Sequence, residues 1–447
     1  MRRWLQTLAN PGSLRHVVVH VVGTSALRAL AMLLLFATMH VLYKKVGVAG
    51  YGAYSLAQSW LVVLTIPALL GLDQLVLRES AALRAHGQMD RLYALLHWAR
   101  RTVLSSACGV AALALLVVCG LYLGGRGDRE TLLACALGFT ALPWLTLAYV
   151  RQGALRGLHH VTLGFLPELV VTPLLTLAGI LLAALFLRQY FTSVIAMLIA
   201  VAAVVPAYYL GRWLLARHLP PASPAVSPET HARAWLRCAV PLMLVSLMYV
   251  IVSRADSLLL GFIKGKQAVG LYDSARRIAD CIGFILVTVN AAMAPSIARL
   301  HAQKNHAQLQ RMVTWSARGI MLVALPLTLI VIIFGKELLG LLSKDVQPAA
   351  PVLVVLCLGQ LINTATGSVG MLLTTTGHER DAVVGIGVGA AVTICANLLL
   401  IPWFGPLGAA WAFVLSMLTW NGLLAWFVYH RLNLHSTCLG KPFWKRA

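Results

Sequence analysis

Twelve stretches of this chain are each about 20 residues long and almost wholly apolar, the length that a helix rising about 1.5 Å per residue needs to cross a hydrocarbon layer about 30 Å thick. They fall at residues 19–43, 51–72, 102–124, 131–150, 164–187 and 192–211, then at 239–263, 275–298, 319–340, 350–373, 382–402 and 406–429. Of all residues, 60% are hydrophobic and 11% charged, against about 25% charged in an ordinary globular chain. The fold class expected is an all-α membrane protein with 12 transmembrane helices.

Orientation follows from Lys and Arg, which cytoplasmic loops retain. With the N-terminus inside, 23 of the 36 Lys and Arg fall in cytoplasmic loops and nine outside, so both termini are expected to be cytoplasmic. Arg151 and Arg156 are counted among those loop residues, and Arg2, Arg3 and Trp4 read as an interfacial anchor. Residues 213–236 contain four prolines and no apolar periodicity, which marks an exposed connector between an N-terminal lobe (1–212) and a C-terminal lobe with a basic tail (237–447). The lobes resemble each other. A shift of 218 lays Gly52 and Tyr54 on Gly270 and Tyr272, and Ala99 and Arg100 on Ala317 and Arg318, while a shift of 220 lays Gly157 on Gly377. Two six-helix units inserted the same way predict a pseudo-twofold axis along the membrane normal and a central cavity between lobes.

Several function classes are disfavoured. The net charge of +22 comes from scattered loop residues, so no nucleic-acid partner is expected. The eight cysteines lie mostly in apolar runs without metal-like spacing, so neither a metal site nor a disulfide framework is expected. No short apolar segment with a cleavage site opens the chain, so a removable signal peptide is not expected. The phosphate-cradling sequence GxxxxGK[ST] is absent, so no cofactor is called and energy should come from a proton or sodium gradient or the membrane potential.

Ionisable residues inside spans mark a pathway or a partnered contact. Arg28 lies near the middle of the first span with no acid on its own helix; it is either a cavity-facing cation for a diphosphate or a structural donor to neighbouring carbonyls. The seventh span carries Arg254 and Asp256, and the eighth carries Arg276, Arg277 and Asp280. Counted from the outer ends at about 1.5 Å per residue, Asp256, Arg276 and Asp280 reach comparable depth and should meet. They form either an interhelical salt-bridge cluster or an anion site, since three arginines against two acids leave one positive charge over. Asp273 reads as a cap of the eighth helix. Glu168, just after Pro167 in the fifth span, reads as a capping or interfacial carboxylate or as a group that couples or gates a cation. Asp73 should pair with Arg78 or another loop arginine, and Gln58, Asn290, Asn363, Asn397 and Asn421 either bond helices together or line a polar path.

The segments YGAYSLAQSW, GLDQLVLRE, LRGLHH, VPLMLVSLMYVIVSRADSLLLGF, VGLYDSARRIAD and APSIARLHAQ resemble the polysaccharide-transport family of oligosaccharide flippases, within the multidrug, oligosaccharidyl-lipid and polysaccharide exporter superfamily. The resemblance covers about residues 15–430. It implies a flippase of the bacterial cytoplasmic (inner) membrane that moves an undecaprenyl-diphosphate-linked oligosaccharide, an O-antigen or other surface polysaccharide unit, by alternating access of two lobes. It implies Arg28 and the polar cluster of the seventh and eighth helices as site residues, with membrane lipids, a polysaccharide polymerase and chain-length machinery as partners. Two rivals remain. A multidrug exporter of the same superfamily should offer carboxylates to a cationic substrate, and a membrane glycosyltransferase or polymerase should present acids on a sizeable outer loop. The outer loops here are about ten residues or shorter, so the chain is expected not to be an enzyme.

Overall fold

The computed structural model describes residues 14–187, 190–219 and 232–440. Arg2, Arg3, Trp4 and residues 220–231 of the expected connector lie outside these. Among the described residues every regular element is helical, as a lipid solvent demands of a backbone whose polar groups must pair within each segment.

The helices are α1 (Leu14–Leu69), α2 (Leu72–Ala85), α3 (Met89–Leu123), α4 (Arg129–Phe139), α5 (Leu142–Gly157), α6 (Val161–Leu166) and α7 (Thr172–Phe186), the last two joined by a π-helical turn at Pro167–Val171. They continue as α8 (Ser193–His218), α9 (Ala232–Lys264), α10 (Lys266–Ala302), α11 (His306–Ile333), α12 (Gly335–Leu342), α13 (Ala350–Ala365), α14 (Val369–Thr375), α15 (Glu379–Phe404) and α16 (Pro406–Leu432). Nine helices among the described residues are long and apolar enough to span a membrane, and ten if α4 and α5, bent by 46° at their junction, count as one. The expected twelve is reached by dividing α1 at Gly47, where the backbone is not helical (φ 71°, ψ −174°), and by adding α10, which carries an uncharged apolar run at residues 281–298. Side chains such as Leu116, Phe262, Leu322 and Trp403 stand outward and exposed, which suits a lipid-facing exterior.

The chain divides into two compact units, Met1–Leu247 and Met248–Ala447. The division falls inside α9, because the early part of that helix packs on the first unit: Ala239 is buried with Leu72, Leu92 and Val150. Gly71 allows this approach, since a Cβ there would sit 2.7 Å from the Met243 nitrogen.

The two units repeat local geometry as well as sequence. Gly265, 218 residues after Gly47, has the same backbone conformation (φ 82°, ψ 179°). Such a conformation with φ near +75° favours glycine. A left-handed residue at His159 (φ 64°) recurs 218 residues later at Gly377 (φ 82°), followed in each unit by a histidine, His160 or His378, that precedes the next helix. This corrects the expected register: Gly377 corresponds to His159, at a shift of 218, and not to Gly157.

In the first unit α5 extends to Gly157, seven residues past the expected end of its span. Gly153 and Gly157 let α5 lie directly on α2: a Cβ would come within 2.5 Å of the Asp73 carbonyl oxygen and 2.6 Å of that of Leu77. This is the small-xxx-small contact that membrane helices use for close packing. Arg84 of α2 donates to the Leu158 carbonyl and ties off the end of α5. Arg151 is therefore not in a cytoplasmic loop but on the helix, 4% exposed.

Candidate functional site

The charged residues of α9 and α10 meet as their depths suggest. Asp256 and Arg276 are twenty residues apart, about 30 Å along a straight helix, yet Arg276 Nη1 lies 2.6 Å from Asp256 Oδ2; the reversal at Gly265 makes this contact possible. Asp256 is 2% exposed and also accepts from the Tyr272 hydroxyl and from the Ser257 amide at 2.9 Å. Arg276 Nε reaches Asp280 at 3.1 Å, and its guanidinium lies 4.1 Å over the Phe413 ring of α16. From α13, Gln360 donates to Asp280 Oδ1 at 2.7 Å. Gly283 makes room for it, since a Cβ there would meet the Gln360 Oε1 at 2.7 Å.

Asp273 is not a helix cap. It lies within α10, which begins at Lys266, and it is buried with Arg277 Nε at 3.0 Å. Three arginines thus face three aspartates, and the formal surplus expected from counting Asp256 and Asp280 alone disappears. What remains is an asymmetry of position. Arg276 and Arg277 are held by carboxylates, whereas Arg254 makes no hydrogen bond or ion pair with a described residue, and Asp273 and Asp256 act on it only beyond contact distance. Arg254 lines a cavity of about 130 Å³ together with Ser253, Ser257, Asp273, Arg276, Arg277 and Asp280. An unengaged guanidinium beside two hydroxyls can accept an oxyanion through two parallel N–H donors.

In the first unit, Arg28 does not stand alone. Its guanidinium lies 5.8 Å from the Phe165 ring of α6, and that of Arg156 lies 4.9 Å from the same ring. Arg156, expected in a loop, instead sits in the last turn of α5 and brings a second cation to Arg28. The spacing of the two in sequence gives no hint of this; only the packing of α6 against α1 and α5 does. Asp73, at the start of α2, is bonded by Gln74 at 2.8 Å and sees the charge of Arg156, not Arg78. Burial pushes its carboxyl above the usual range, and the Gln74 hydrogen bonds and Arg156 oppose that rise.

Glu168 lies in the π-helical turn and is ion-paired with Arg151. It is not a cap, since it lies inside a continuous helical run, and it and Arg151 are 15% and 4% exposed. Among the uncharged polar residues, Gln58 donates to the Tyr54 hydroxyl at 3.2 Å, while Asn397 and Asn421 are buried and bond to carbonyls of their own helices.

A family model described as Polysaccharide biosynthesis protein matches residues 14–301, and a second, MatE, matches residues 241–399. The probable flippase AglR of Haloferax volcanii is 28% identical over 207 residues, covering 45% of this chain and 42% of that protein; the match thus spans less than half of the relative's length. Among solved structures, an inward-facing multidrug resistance MATE family transporter of the MOP superfamily superposes with a TM-score of 0.75 at 12% identity, covering 92% of this chain and 98% of that one. The lipid II flippase MurJ in an inward closed conformation gives 0.68 at 14% identity, covering 92% and 87%. At such identities these structures show a shared fold.

Proposed function

Since the chain belongs to the polysaccharide biosynthesis protein family, we propose that it is a flippase that carries a lipid-linked oligosaccharide across the cytoplasmic membrane of a bacterium, with both termini in the cytoplasm. The observation that carries this reading is Arg254, a guanidinium with no partner of its own among the described residues, in a cavity shared with Arg276 and Arg277. Anionic headgroups suit that cavity. In this reading the substrate is linked through undecaprenyl diphosphate, its sugars are an O-antigen or other surface polysaccharide unit, and the two units work by alternating access. Arg28 meets the diphosphate near the middle of the membrane, Arg254 receives it with Arg276 and Arg277 around it, and the lipid tail stays in the bilayer. Asp256 and Asp280 hold Arg276 in place. A polymerase and chain-length machinery would take the product on the outer side.

The MatE match and the MATE-like fold keep a multidrug exporter as the second reading. Charge complementarity favours the first: the group left without a counterion is a cation, which repels the cationic compounds that a drug exporter of this kind would bind. No enzymatic activity belongs to this proposal. The deciding experiment is reconstitution into liposomes with a lipid-linked oligosaccharide and a leaflet-specific probe. Transport of that substrate, with none of cationic dyes, is the expected result; dye transport without glycan transport would overturn the reading.

A further inference from the structure

The second buried charge site, in the first unit, is not used by that reading. Arg151 donates to Glu168 through Nη2, and the buried Gln152 side chain lies beside the same carboxylate. Its Nε and Nη1 atoms, and Glu168 Oε2, are buried without any hydrogen-bond partner among the described residues. A network satisfied at one bond and open at three atoms is the costly kind, and the backbone is built around it. Glu168 sits on a π-helical turn begun by Pro167, and Gly211 of α8 leaves the space that the guanidinium fills, since a Cβ there would collide with Arg151 Nη1.

The fold does not require this arrangement, because its own duplicate does without it. The shift of 218 fixed by Gly47 and Gly265 pairs Arg151 with Val369 and Glu168 with Ile386. The last helices of the units begin at Ser193 and Pro406, a shift of 213, which pairs Gly211 with Leu424. Val369, Ile386 and Leu424 are all buried, and Leu424 packs against Gly385, the counterpart of Pro167. The second unit closes with an apolar trio the place where the first keeps an ion pair. The reverse holds at the other site: Tyr272 and Arg276, joined at 3.2 Å, correspond to Tyr54 and Gln58, also joined at 3.2 Å, and Asp256 corresponds to Thr38. Each unit therefore carries buried charge where the shared fold accepts neutral residues.

We infer that Arg151 and Glu168 form a proton-binding site that couples proton uptake to movement within the first unit. Glu168 is the only member able to take a proton, because a guanidinium stays charged. Of the charged groups on the elements packed around it, Arg151 of α5 faces the carboxylate; Arg28 of α1 and Arg156 of α5 lie over Phe165 instead, and α8 brings Gly211 and the exposed Arg212. A proton delivered from water to the free Oε2 gives a neutral carboxylic acid and leaves Arg151 as a buried cation without a counterion. That state favours any conformation in which Arg151 gains water, so the proton biases the unit by binding one conformation better than the other.

The test needs no glycan, so it stands or falls separately from the substrate reading, resting on it only for the view that the unit moves. Full-length protein in lipid nanodiscs is titrated while infrared difference spectra follow protonated carboxyl groups and amide hydrogen exchange follows α5 to α8. A carboxyl band that titrates in the wild type and is lost in Glu168→Gln, together with at least a tenfold pH-dependent change in exchange of α5 to α8 that the variant no longer shows, is expected. An unchanged band or an unchanged pH response in Glu168→Gln overturns the inference. The quadruple variant Arg151→Val, Pro167→Gly, Glu168→Ile, Gly211→Leu, which installs the residues of the duplicate including the glycine that leaves room for the leucine, should fold and be insensitive to pH in this region. Failure of the quadruple variant to fold, with Glu168→Gln and Pro167→Gly each folded, would show the pair to be structural and also overturn it.

Discussion

Removing Asp256 should harm the protein more when Arg276 is left behind than when both go. Asp256→Ala strips from Arg276 its contact at 2.6 Å and leaves Asp280, at 3.1 Å but 44% exposed, as its only carboxylate. Breaking a buried pair by deleting one partner costs about 3–5 kcal/mol. The half-exposed Asp280 recovers part of this, about 0–1 kcal/mol for a pair that solvent screens, and the Tyr272 hydroxyl and Ser257 amide lose an acceptor as well. A loss of about 3–4 kcal/mol is expected for Asp256→Ala on these grounds. In the double variant with Arg276→Ala no unpaired buried cation remains, so the coupling energy should be about 1–3 kcal/mol. Replacing the pair by the residues found at the equivalent places in the first unit, Asp256→Thr with Arg276→Gln, should cost less still, because Gln58 bonds Tyr54 there at 3.2 Å. The assay is equilibrium unfolding in mixed micelles, with the four members of the cycle measured side by side. Strictly additive losses would refute the claim that these charges act as one unit.

Arg254→Ala should leave stability within about 0.5 kcal/mol, as expected for a residue that no hydrogen bond or ion pair among the described residues holds, and should abolish binding of inorganic diphosphate measured by calorimetry; weakened folding with binding intact would reverse its assignment. Arg28→Lys should slow flipping and Arg28→Ala should slow it more, by about tenfold or beyond, since lysine keeps the charge but loses the two-pronged geometry that fits phosphate; wild-type flipping by Arg28→Ala at equal expression would make Arg28 structural. Single cysteines at Ser227 and Gly124 in a cysteine-free background test orientation, and labelling of Ser227 by an impermeant thiol reagent from outside would overturn cytoplasmic termini.

Depth along a helix is legible in sequence because helices are rods of fixed rise, so counting residues is enough to match Asp256, Arg276 and Asp280. The residues that escape such counting do so for physical reasons. Arg151 follows the apolar run 131–150, and an arginine just after such a run looks like a loop residue; the signal that the helix continues is the pair Gly153 and Gly157, spaced for close packing on α2. Glu168 needs a buried partner, and that partner is the same arginine that the apolar run leaves outside its span. Asp273 looks like a cap because the apolar part of α10 begins near residue 275. Gly265, in register with Gly47, marks the true start of the helix. The meeting of Arg28 and Arg156 over Phe165 depends on how three helices pack, and no local pattern encodes it.

The length of α10 gives the charged cluster mechanical leverage. At about 1.5 Å per residue its 37 residues extend about 55 Å, some 25 Å more than the hydrocarbon layer is thick. Arg276 and Asp280 lie near one end, with about twenty residues of helix, Pro295 among them, between them and Ala302. A tilt of about 10° pivoting on Arg276 would swing the far end by about 7 Å over that arm. If the cluster binds an anion as proposed, an ångström-scale adjustment around it would be converted into a displacement of several ångströms at the far end of the helix.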